Sequence, residues 1–202
     1  MQLIVISSPE AVAQEARLMS EMLAAGLLRL HLRKPAFGRA QMAEYVAQIP
    51  ARYHPRLVLH GHPALVAELE LGGLHLTAAA RNALRGPPKL HPGQTLSTSF
   101  HTLAEISRHR RKYDYVFLSP VFDSLSKRGY AAGFALSTVA EALRQLRPRA
   151  GYMPRVLALG GVEAPRLAAV RQAGFAGAAV LGAVWQSPDP VAAFRALQSI
   201  VG

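Results

Sequence analysis

The sequence contains no cysteine, so neither disulfide bonds nor thiolate metal sites can stabilise this chain. It also contains only one tryptophan, and aromatic residues make up 7% of the chain. The longest apolar stretch, residues 173–185, is too short and too rich in glycine to span a bilayer. The N-terminus enters a strand-like run with no basic leader before it. We therefore expect an unexported, cytoplasmic protein that makes no membrane contact.

Acidic residues are scarce as well. Twelve aspartates and glutamates stand against 23 lysines and arginines, which gives a formal net charge of +11. This balance favours anionic partners, nucleic acids among them. The arginines are nevertheless spread along the chain, without the interleaved aromatic residues that stack on bases. The densest basic group, residues 108–112, is predicted at a helix end, where cations complement the helix dipole. We expect no nucleic-acid partner, and small phosphorylated substrates suit the charge equally well.

The hydrophobic pattern predicts an α/β fold. Half of the 202 residues are hydrophobic, and short β-branched or leucine-rich segments alternate with amphipathic ones, as in repeated βα units. Eight strands are predicted, the number that closes a (β/α)₈ TIM barrel, and residues 1–202 are predicted to form one domain. These strands are predicted at residues 2–6, 27–32, 56–60, 73–76, 94–98, 115–118, 155–159 and 177–181.

Helices are predicted between these strands and after the last one. Pro9 and Pro165 suit first helical turns, while Gly26, Gly72 and Gly174 suit helix C-termini. The predicted helices cover residues 9–25, 39–49, 63–71, 78–84, 102–110, 137–146, 164–173 and 190–200.

Two glycine turns follow neighbouring strands near the end of the chain. Gly160 and Gly161 follow the seventh predicted strand, and Gly182 follows Leu181 at the end of the eighth. Without a Cβ, backbone N–H groups can approach an anion, and a following helix N-terminus adds partial positive charge. The loops after strands seven and eight are the usual phosphate site of a barrel. We predict a phosphate pocket here; the alternative is that the glycines only permit tight turns.

Polar side chains follow the other predicted strands. The carboxyl ends of the strands form the active-site face of a barrel, so these side chains are candidate functional groups. After the sixth strand, a loop supplies hydroxyl groups beside a lysine, which can bind phosphate by charge-assisted hydrogen bonds. The candidates in chain order are His31, Arg33, Lys34, His60, His62, His75, Thr77, Ser97, Ser99, His101, Ser124, Ser126 and Lys127.

The order of these motifs resembles the thiamine phosphate synthase and TenI family along essentially the whole chain. The family's fold is a (β/α)₈ barrel, in agreement with the strand count. Its synthases join hydroxymethylpyrimidine diphosphate to a thiazole phosphate with loss of pyrophosphate and use Mg²⁺, whereas its TenI branch isomerises a thiazole phosphate carboxylate. The segments that carry the resemblance are Leu30-His31-Leu32-Arg33-Lys34, Gly73-Leu74-His75-Leu76, Ser99-Phe100-His101-Thr102, residues 113–127, Leu159-Gly160-Gly161-Val162 and residues 174–182.

This resemblance implies roles for individual residues. Arg33 would hold a diphosphate, and the loop after the sixth strand would bind phosphate oxygens through Ser124, Ser126 and Lys127, the last also a candidate catalytic residue. Ser99 would lie over the pyrimidine. The two glycine turns would hold the thiazole phosphate.

Four places depart from the family's pattern. The glutamine of its second-strand motif is His31 here, and the basic residue expected two positions after Arg33 is Pro35. The Asn-Asp pair expected after the third strand is His60-Gly61, and the aspartate expected after His75 falls at Ala80. Mg²⁺ prefers oxygen ligands and is held through carboxylates and substrate phosphates. Losing both carboxylates should therefore weaken a synthase site.

These departures favour a TenI-like thiazole tautomerase that needs no cofactor. A histidine titrating near neutrality suits the required proton transfer, and His101 matches the histidine of the TenI motif. The alternative is that His101 only begins a helix, with Thr102 or Ser99 as the cap. A second hypothesis is a Mg²⁺-dependent thiamine phosphate synthase that uses Arg33 and the loop lysine. A third is a silent phosphate-binding barrel that regulates a partner.

The remaining histidines allow another interpretation. His31, His60, His62 and His75 could form a zinc cluster, with His60 and His62 the closest pair in sequence. No carboxylate lies nearby in sequence, so we predict no metal site. We assign His31, His60 and His75 to the polar lining that binds the substrate. The sequence leaves a homo-oligomer possible.

Overall fold

The computed structural model describes residues 1–123, 135–146, 148 and 151–202. Eight parallel strands form a closed barrel in chain order, and β8 pairs with β1 to complete it. This confirms the prediction of a single (β/α)₈ barrel. The strands are β1 Gln2–Ile6, β2 Leu30–Leu32, β3 Leu57–His60, β4 Gly73–Leu76, β5 Thr95–Phe100, β6 Tyr115–Leu118, β7 Val156–Leu159 and β8 Gly177–Val180.

Helices surround this barrel. The described residues form α1 Glu15–Ala24, α2 Arg39–Ala47, α3 Pro63–Glu68, α4 Ala78–Ala83, α5 Leu103–Arg108, α6 Leu136–Gln145, α7 Leu167–Gln172, α8 Gly182–Trp185 and α9 Pro190–Val201. Two 3₁₀ helices, Ala51–Arg56 and Ala164–Arg166, precede β3 and α7. The short helix α8 is absent from the sequence-based prediction. Across the described ranges, every helix lacks the combination of length and apolar character that crossing a membrane requires.

The strands separate two cores because their side chains alternate between two faces. The larger core lies between the strands and the helices. The smaller one fills the barrel interior, where β1, β6, β7 and β8 contribute Ile4, Ile6, Tyr115, Phe117, Leu157 and Ala179. The interior facing β2 to β5 is instead polar, with His31, His75 and Ser97 all buried. In this half of the barrel interior, buried side chains must therefore form hydrogen bonds as well as pack.

The predicted start of the first helix was wrong. We predicted it at Pro9, but α1 begins at Glu15, because Gln14 takes a left-handed conformation with φ of 56°. The buried carboxylate of Glu15 accepts a hydrogen bond from the Ser8 backbone N–H at 2.9 Å, which holds the preceding loop against the barrel. Hydrophobic spacing carries no sign of this bend.

Glu15 belongs to a buried ion pair. Its Oε2 lies 2.5 Å from Nζ of Lys34, and the two side chains are only 4% and 3% exposed. Lys34 also donates to the Glu10 carbonyl at 2.7 Å, and the Tyr45 hydroxyl donates to Glu15 at 2.7 Å. Burial, together with Glu15, raises the pKa of Tyr45, so its hydroxyl stays a donor. Lys34, which the sequence placed on the active-site face, thus has a structural role instead.

Removal of the lysine charge should destabilise the fold strongly. Lys34→Met leaves the Glu15 carboxylate buried without its cation, which costs about 3–5 kcal/mol and, for a chain of this size, lowers Tm by about 6 °C or more. Thermal unfolding followed by circular dichroism measures this. The control is Arg17→Met, because the Arg17–Glu21 pair is exposed and contributes at most about 1 kcal/mol. Equal losses in the two variants would contradict the structural role of Lys34.

Glycine and proline positions were predicted with mixed success. Gly26 and Gly174 end α1 and α7 with φ of 99° and 87°, as predicted. Pro165 lies in the first turn of a 3₁₀ helix, also as predicted. Gly72 is not a helix C-terminus, since α3 ends at Glu68. A Cβ at Gly72 would lie 2.1 Å from the Pro55 carbonyl oxygen, so glycine is needed there for close backbone approach.

Candidate active site at the carboxyl ends of the strands

A cavity of about 360 Å³ opens at the carboxyl ends of the strands. It brings together eight of the residues predicted from the sequence: Arg33, His60, His75, Thr77, Ser99, His101, Gly160 and Leu181. It is also lined by Ile6, Ala78, Ser119, Pro120 and Leu159. Ser119 and Pro120 begin the loop after β6 that the sequence analysis singled out, although neither residue was given a role of its own. Their place directly after the strand is the signal that assigns them to the cavity.

The other predicted site residues lie outside the cavity wall. His31 is fully buried and contacts His60 below the wall. Gly161 and Gly182 are the chain neighbours of wall residues on the β7 and β8 sides. Ser124, Ser126 and Lys127 lie outside the described residues, so their predicted roles remain predictions.

Strand register explains why three histidines from β2, β3 and β4 meet. Ile6 pairs with His31, and His60 pairs with His75, so all three imidazoles point into the barrel. Nδ1 of His31 lies 2.9 Å from Nε2 of His60, and the rings of His60 and His75 stack with centroids 4.1 Å apart. We call His31, His60 and His75 the histidine cluster.

Hydroxyl groups hold the buried sides of the histidine cluster. Nε2 of His31 lies 2.6 Å from the Tyr115 hydroxyl. His75 contacts the Ser97 hydroxyl through Nδ1 at 2.9 Å and the Ser99 hydroxyl through Nε2 at 3.1 Å. Burial raises the pKa of Tyr115 to about 12, so the phenol stays protonated. Every buried side-chain polar atom of the described residues has a partner, which fixes these rings in place.

All three imidazoles of the histidine cluster are held neutral. Burial is the main cause, and it lowers the pKa of His31 and His60 well below the usual value of 6.5. Burial and the nearby charges of Arg33 and Arg81 lower the pKa of His75 to about 3. The cluster therefore adds no positive charge to the cavity, but it supplies ring nitrogens and N–H groups.

The neutral cluster should make folding sensitive to acid. Below pH 6.5 the unfolded chain takes up protons that the folded cluster refuses, so the free energy of unfolding falls as the pH falls. Each histidine contributes up to about 1.4 kcal/mol per pH unit. The free energy of unfolding, measured with urea at several pH values between 6.5 and 5, should therefore fall with pH less steeply in His31→Gln. We expect a slope about one third shallower than that of the unmodified protein. Identical slopes would show that His31 also takes up a proton in the folded state.

His101 stands at the rim of the cavity. Its Nδ1 lies 2.8 Å from the Ser119 carbonyl oxygen, and a carbonyl only accepts, so Nδ1 carries the proton. In the neutral ring, Nε2 therefore offers a lone pair. Thr102 is the cap of α5, because its hydroxyl accepts from the Glu105 N–H at 3.1 Å. The His101 imidazole is not used as a helix cap, which leaves it available for a ligand.

Arg33 supplies positive charge to the cavity. It follows β2, and its backbone N–H donates to the Ser7 hydroxyl at 2.8 Å, which fixes the start of the side chain. Among the described residues, Arg33 forms no ion pair, whereas other cations do, such as Arg81 with Glu105 at 3.1 Å. The guanidinium is therefore open to an anionic ligand from the cavity.

The two glycine turns differ in whether the surrounding protein leaves room for a larger side chain. At Gly161, φ is 62° and a Cβ would lie 2.4 Å from the Asp123 carbonyl oxygen, so packing alone demands glycine. At Gly182, φ is not in the left-handed region, and a Cβ would make only ordinary contact with Gln186 at 3.5 Å. The described protein therefore gives no steric reason for glycine at 182, which fits a position that a ligand approaches.

The described part of this cavity does not suit Mg²⁺. Its described lining contains no aspartate or glutamate. Ala80 stands on α4 where a carboxylate was expected, and the next residue, Arg81, directs its guanidinium to the Ser99 carbonyl at 2.6 Å. Gly61, which replaces the other carboxylate, directly follows β3 with φ of 85°. Imidazoles and hydroxyls are not the oxygen-rich, anionic donor set that Mg²⁺ prefers.

Comparison with known proteins identifies relatives of this barrel. The family model described as thiamine monophosphate synthase matches residues 3–184. The thiamine-phosphate synthase of Desulfitobacterium hafniense is 28% identical, over 77% of this chain and 72% of its own. The structure of thiamine phosphate pyrophosphorylase from Bacteroides thetaiotaomicron is 29% identical with a TM-score of 0.80, covering 100% of this chain and 98% of that one.

A more distant structure shares the fold. The thiamine phosphate pyrophosphorylase from Pyrococcus furiosus is 20% identical with a TM-score of 0.76, covering 99% of this chain and 95% of that one. The family match spans β1 to α8 and so includes every strand of the barrel and the whole cavity. The chain belongs to the thiamine monophosphate synthase and TenI (TMP-TENI) family.

Proposed function

We propose that this chain is a transferase that joins a pyrimidine diphosphate to a thiazole phosphate and releases pyrophosphate. The observation that carries the proposal is the Arg33 guanidinium, which lines the cavity without a carboxylate partner among the described residues. Both substrates are anionic. The sequence alone favours the tautomerase, but the relatives are named thiamine-phosphate synthases, and this reverses the order of the two hypotheses.

In the proposed reaction, one bond forms and one bond breaks at the methylene carbon of the pyrimidine substrate. The thiazole nitrogen forms a bond to the methylene carbon of the pyrimidine, and the bond from that carbon to the diphosphate oxygen breaks. Pyrophosphate leaves with the bonding electrons and gains negative charge at the breaking bond. Arg33 stabilises this charge through a planar, two-pronged guanidinium that matches phosphate oxygens. The cavity walls hold both rings close together and in line, which lowers the entropy cost of the encounter.

The thiazole phosphate is proposed to bind at the β7 and β8 turns, which β1 separates from β2 and Arg33. Gly160 and Leu181 line the cavity there, and the backbone N–H groups of Gly161 and Gly182 are the proposed phosphate donors. Ile6 lies on β1, between this side and Arg33, and Ser99 lies on the β5 side of the cavity; both are proposed contacts for the rings. This arrangement separates the two phosphate groups and places the reacting atoms between them.

A two-substrate assay tests the proposal. The purified protein is incubated with hydroxymethylpyrimidine diphosphate and thiazole phosphate, and thiamine phosphate and pyrophosphate are quantified, with Mg²⁺, with Zn²⁺ and with EDTA. We expect equimolar products only when both substrates are present. Failure to form either product under all three conditions would overturn the transferase. Binding of thiazole phosphate without any reaction would instead support a silent, regulatory barrel.

A second candidate function is supported by His101. Its Nδ1–H is held by the Ser119 carbonyl, so Nε2 can accept a proton at the cavity rim. Tautomerisation of a thiazole phosphate carboxylate needs a proton removed at one atom and returned at another, which one imidazole can do. Conversion of that compound without any pyrimidine substrate would favour this function over the transferase.

A further inference from the structure

The histidine cluster contains the chemistry of a metal site. Each member offers one ring nitrogen, and these three atoms all lie within 4.8 Å of one another. They come from consecutive strands of a closed barrel, which is a rigid support. Sequence reasoning considered His60 with His62, but His62 lies apart, with its Nε2 donating to the Phe37 carbonyl at 3.2 Å.

We propose that His31, His60 and His75 bind one divalent transition-metal ion, such as Zn²⁺, at the inner wall of the cavity. Three histidine nitrogens with a fourth position open to solvent or substrate are typical of catalytic rather than structural zinc sites. Imidazole favours zinc, cobalt, nickel, copper and iron, whereas Mg²⁺ favours oxygen. The described donor set therefore selects a different class of ion from the one expected of the family.

The partners behind the cluster support this proposal. A metal-bound histidine usually has its second ring nitrogen held by another group, which orients the ring. Nε2 of His31 is held by Tyr115 at 2.6 Å, and Nδ1 of His75 by Ser97 at 2.9 Å. The other two nitrogens, Nδ1 of His31 and Nε2 of His75, contact Nε2 of His60 and the Ser99 hydroxyl, and they would exchange these contacts for the ion. Two of the three ligands are already oriented from behind.

Binding requires a rearrangement, mainly of the His60 ring. Zinc–nitrogen bonds of about 2.0–2.1 Å place tetrahedral ligand atoms about 3.4 Å apart, inside the 4.8 Å within which the three ring nitrogens lie. The rings of His60 and His75 are stacked with an interplanar angle of 20°, so their nitrogen lone pairs lie in nearly parallel planes and do not converge on one point. His60 must therefore rotate to face the ion, and it borders the cavity, where there is room for this movement.

The ion would also deepen the proposed function. Arg33 lines the same cavity, and its positive charge would repel the metal ion. An anionic substrate that lies between Arg33 and the ion would be attracted by both and would offset this repulsion. A diphosphate could then contact the open position of the metal and the guanidinium together. This role rests on the proposed transferase, but metal binding itself does not, because it is measured without substrates.

Titration of the metal-free protein with Zn²⁺ and with Co²⁺ tests the site. We expect one ion per chain by calorimetry, and the intense visible absorption that Co²⁺ shows in four-coordinate sites. His60→Asn should weaken binding by at least about 100-fold, since loss of an outer partner alone costs 10- to 100-fold. Tyr115→Phe removes the hydroxyl that holds His31 and should lower metal affinity by about 10- to 100-fold. The matched control, His91→Asn, removes an exposed histidine before β5 and should bind as the unmodified protein does.

Three outcomes would overturn the proposal. The first is only the weak absorption of six-coordinate Co²⁺ in the unmodified protein, a result that does not depend on any variant folding correctly. The second is equal affinity in His60→Asn and the unmodified protein, with circular dichroism confirming that the variant is folded. The third is an equal loss in His91→Asn, which would indicate surface binding. Thiamine phosphate formed in EDTA would leave the transferase intact while removing the catalytic role of the ion.

Discussion

Arg33→Ala should lower the rate of thiamine phosphate formation by about 10²- to 10³-fold, the usual effect of removing one preorganised donor to a developing negative charge. The guanidinium lines the cavity, and its ion-pairing capacity is not used by the described carboxylates. Most of the loss should fall in kcat, because the charge on pyrophosphate grows as the bond breaks. Steady-state kinetics with both substrates varied measures this.

Two further variants show whether the effect belongs to the geometry of Arg33. Arg33→Lys keeps the charge but loses the planar pair of donors, so we expect a rate between those of the alanine variant and the unmodified protein. Arg195→Ala removes a cation from the exposed face of α9 and should leave the rate unchanged. A rate for Arg33→Ala that equals the rate for Arg195→Ala would show that Arg33 does not contact the leaving group.

Replacing His101 should separate the two candidate functions. We expect His101→Ala to lower thiazole tautomerisation by about 10²- to 10⁴-fold, the usual contribution of a positioned acid or base. Formation of thiamine phosphate should change by less than about tenfold, because that reaction transfers no proton to His101. Both rates are measured at saturating substrate on the same preparations.

His101→Gln serves as the companion variant. Glutamine can keep a hydrogen bond to the Ser119 carbonyl but cannot carry the proton, so its tautomerisation rate should be close to that of His101→Ala. Tautomerisation by the glutamine variant at the original rate would reduce His101 to a residue that positions its neighbours. The proton carrier would then be sought elsewhere in the cavity.

Much of the barrel could be predicted because alternating strand and helix patterns depend on local sequence. The bounds of β1, β4 and β6 agree with the prediction. The strand β5 extends two residues further, to Phe100, because Phe100 pairs with Leu118 on β6. The first helix begins late, after the left-handed residue Gln14, and its first residue, Glu15, forms a buried ion pair with Lys34. Both elements thus involve partners distant in sequence.

The sequence could predict which residues of the candidate site lie at strand ends, but not which of their side chains contact one another. The rule that barrel chemistry lies at the carboxyl ends of strands found Arg33 and His101. It also listed His31, His60 and His75, but it could not show that their rings meet, because the contact of His31 with His60 depends on strand register and on side-chain rotamers. Proximity in sequence favoured His62 as the partner of His60, but β3 ends at His60 and the chain then turns away.

The most direct test of this account is a crystal structure of the protein with thiazole phosphate and pyrophosphate at saturating concentration. The account predicts pyrophosphate within hydrogen-bond distance of the Arg33 guanidinium. It predicts the thiazole phosphate group at the backbone N–H groups of Gly161 and Gly182, with the thiazole ring inside the cavity. Both ligands bound elsewhere, or this cavity empty at concentrations that saturate the enzyme, would contradict the assignment of the active site.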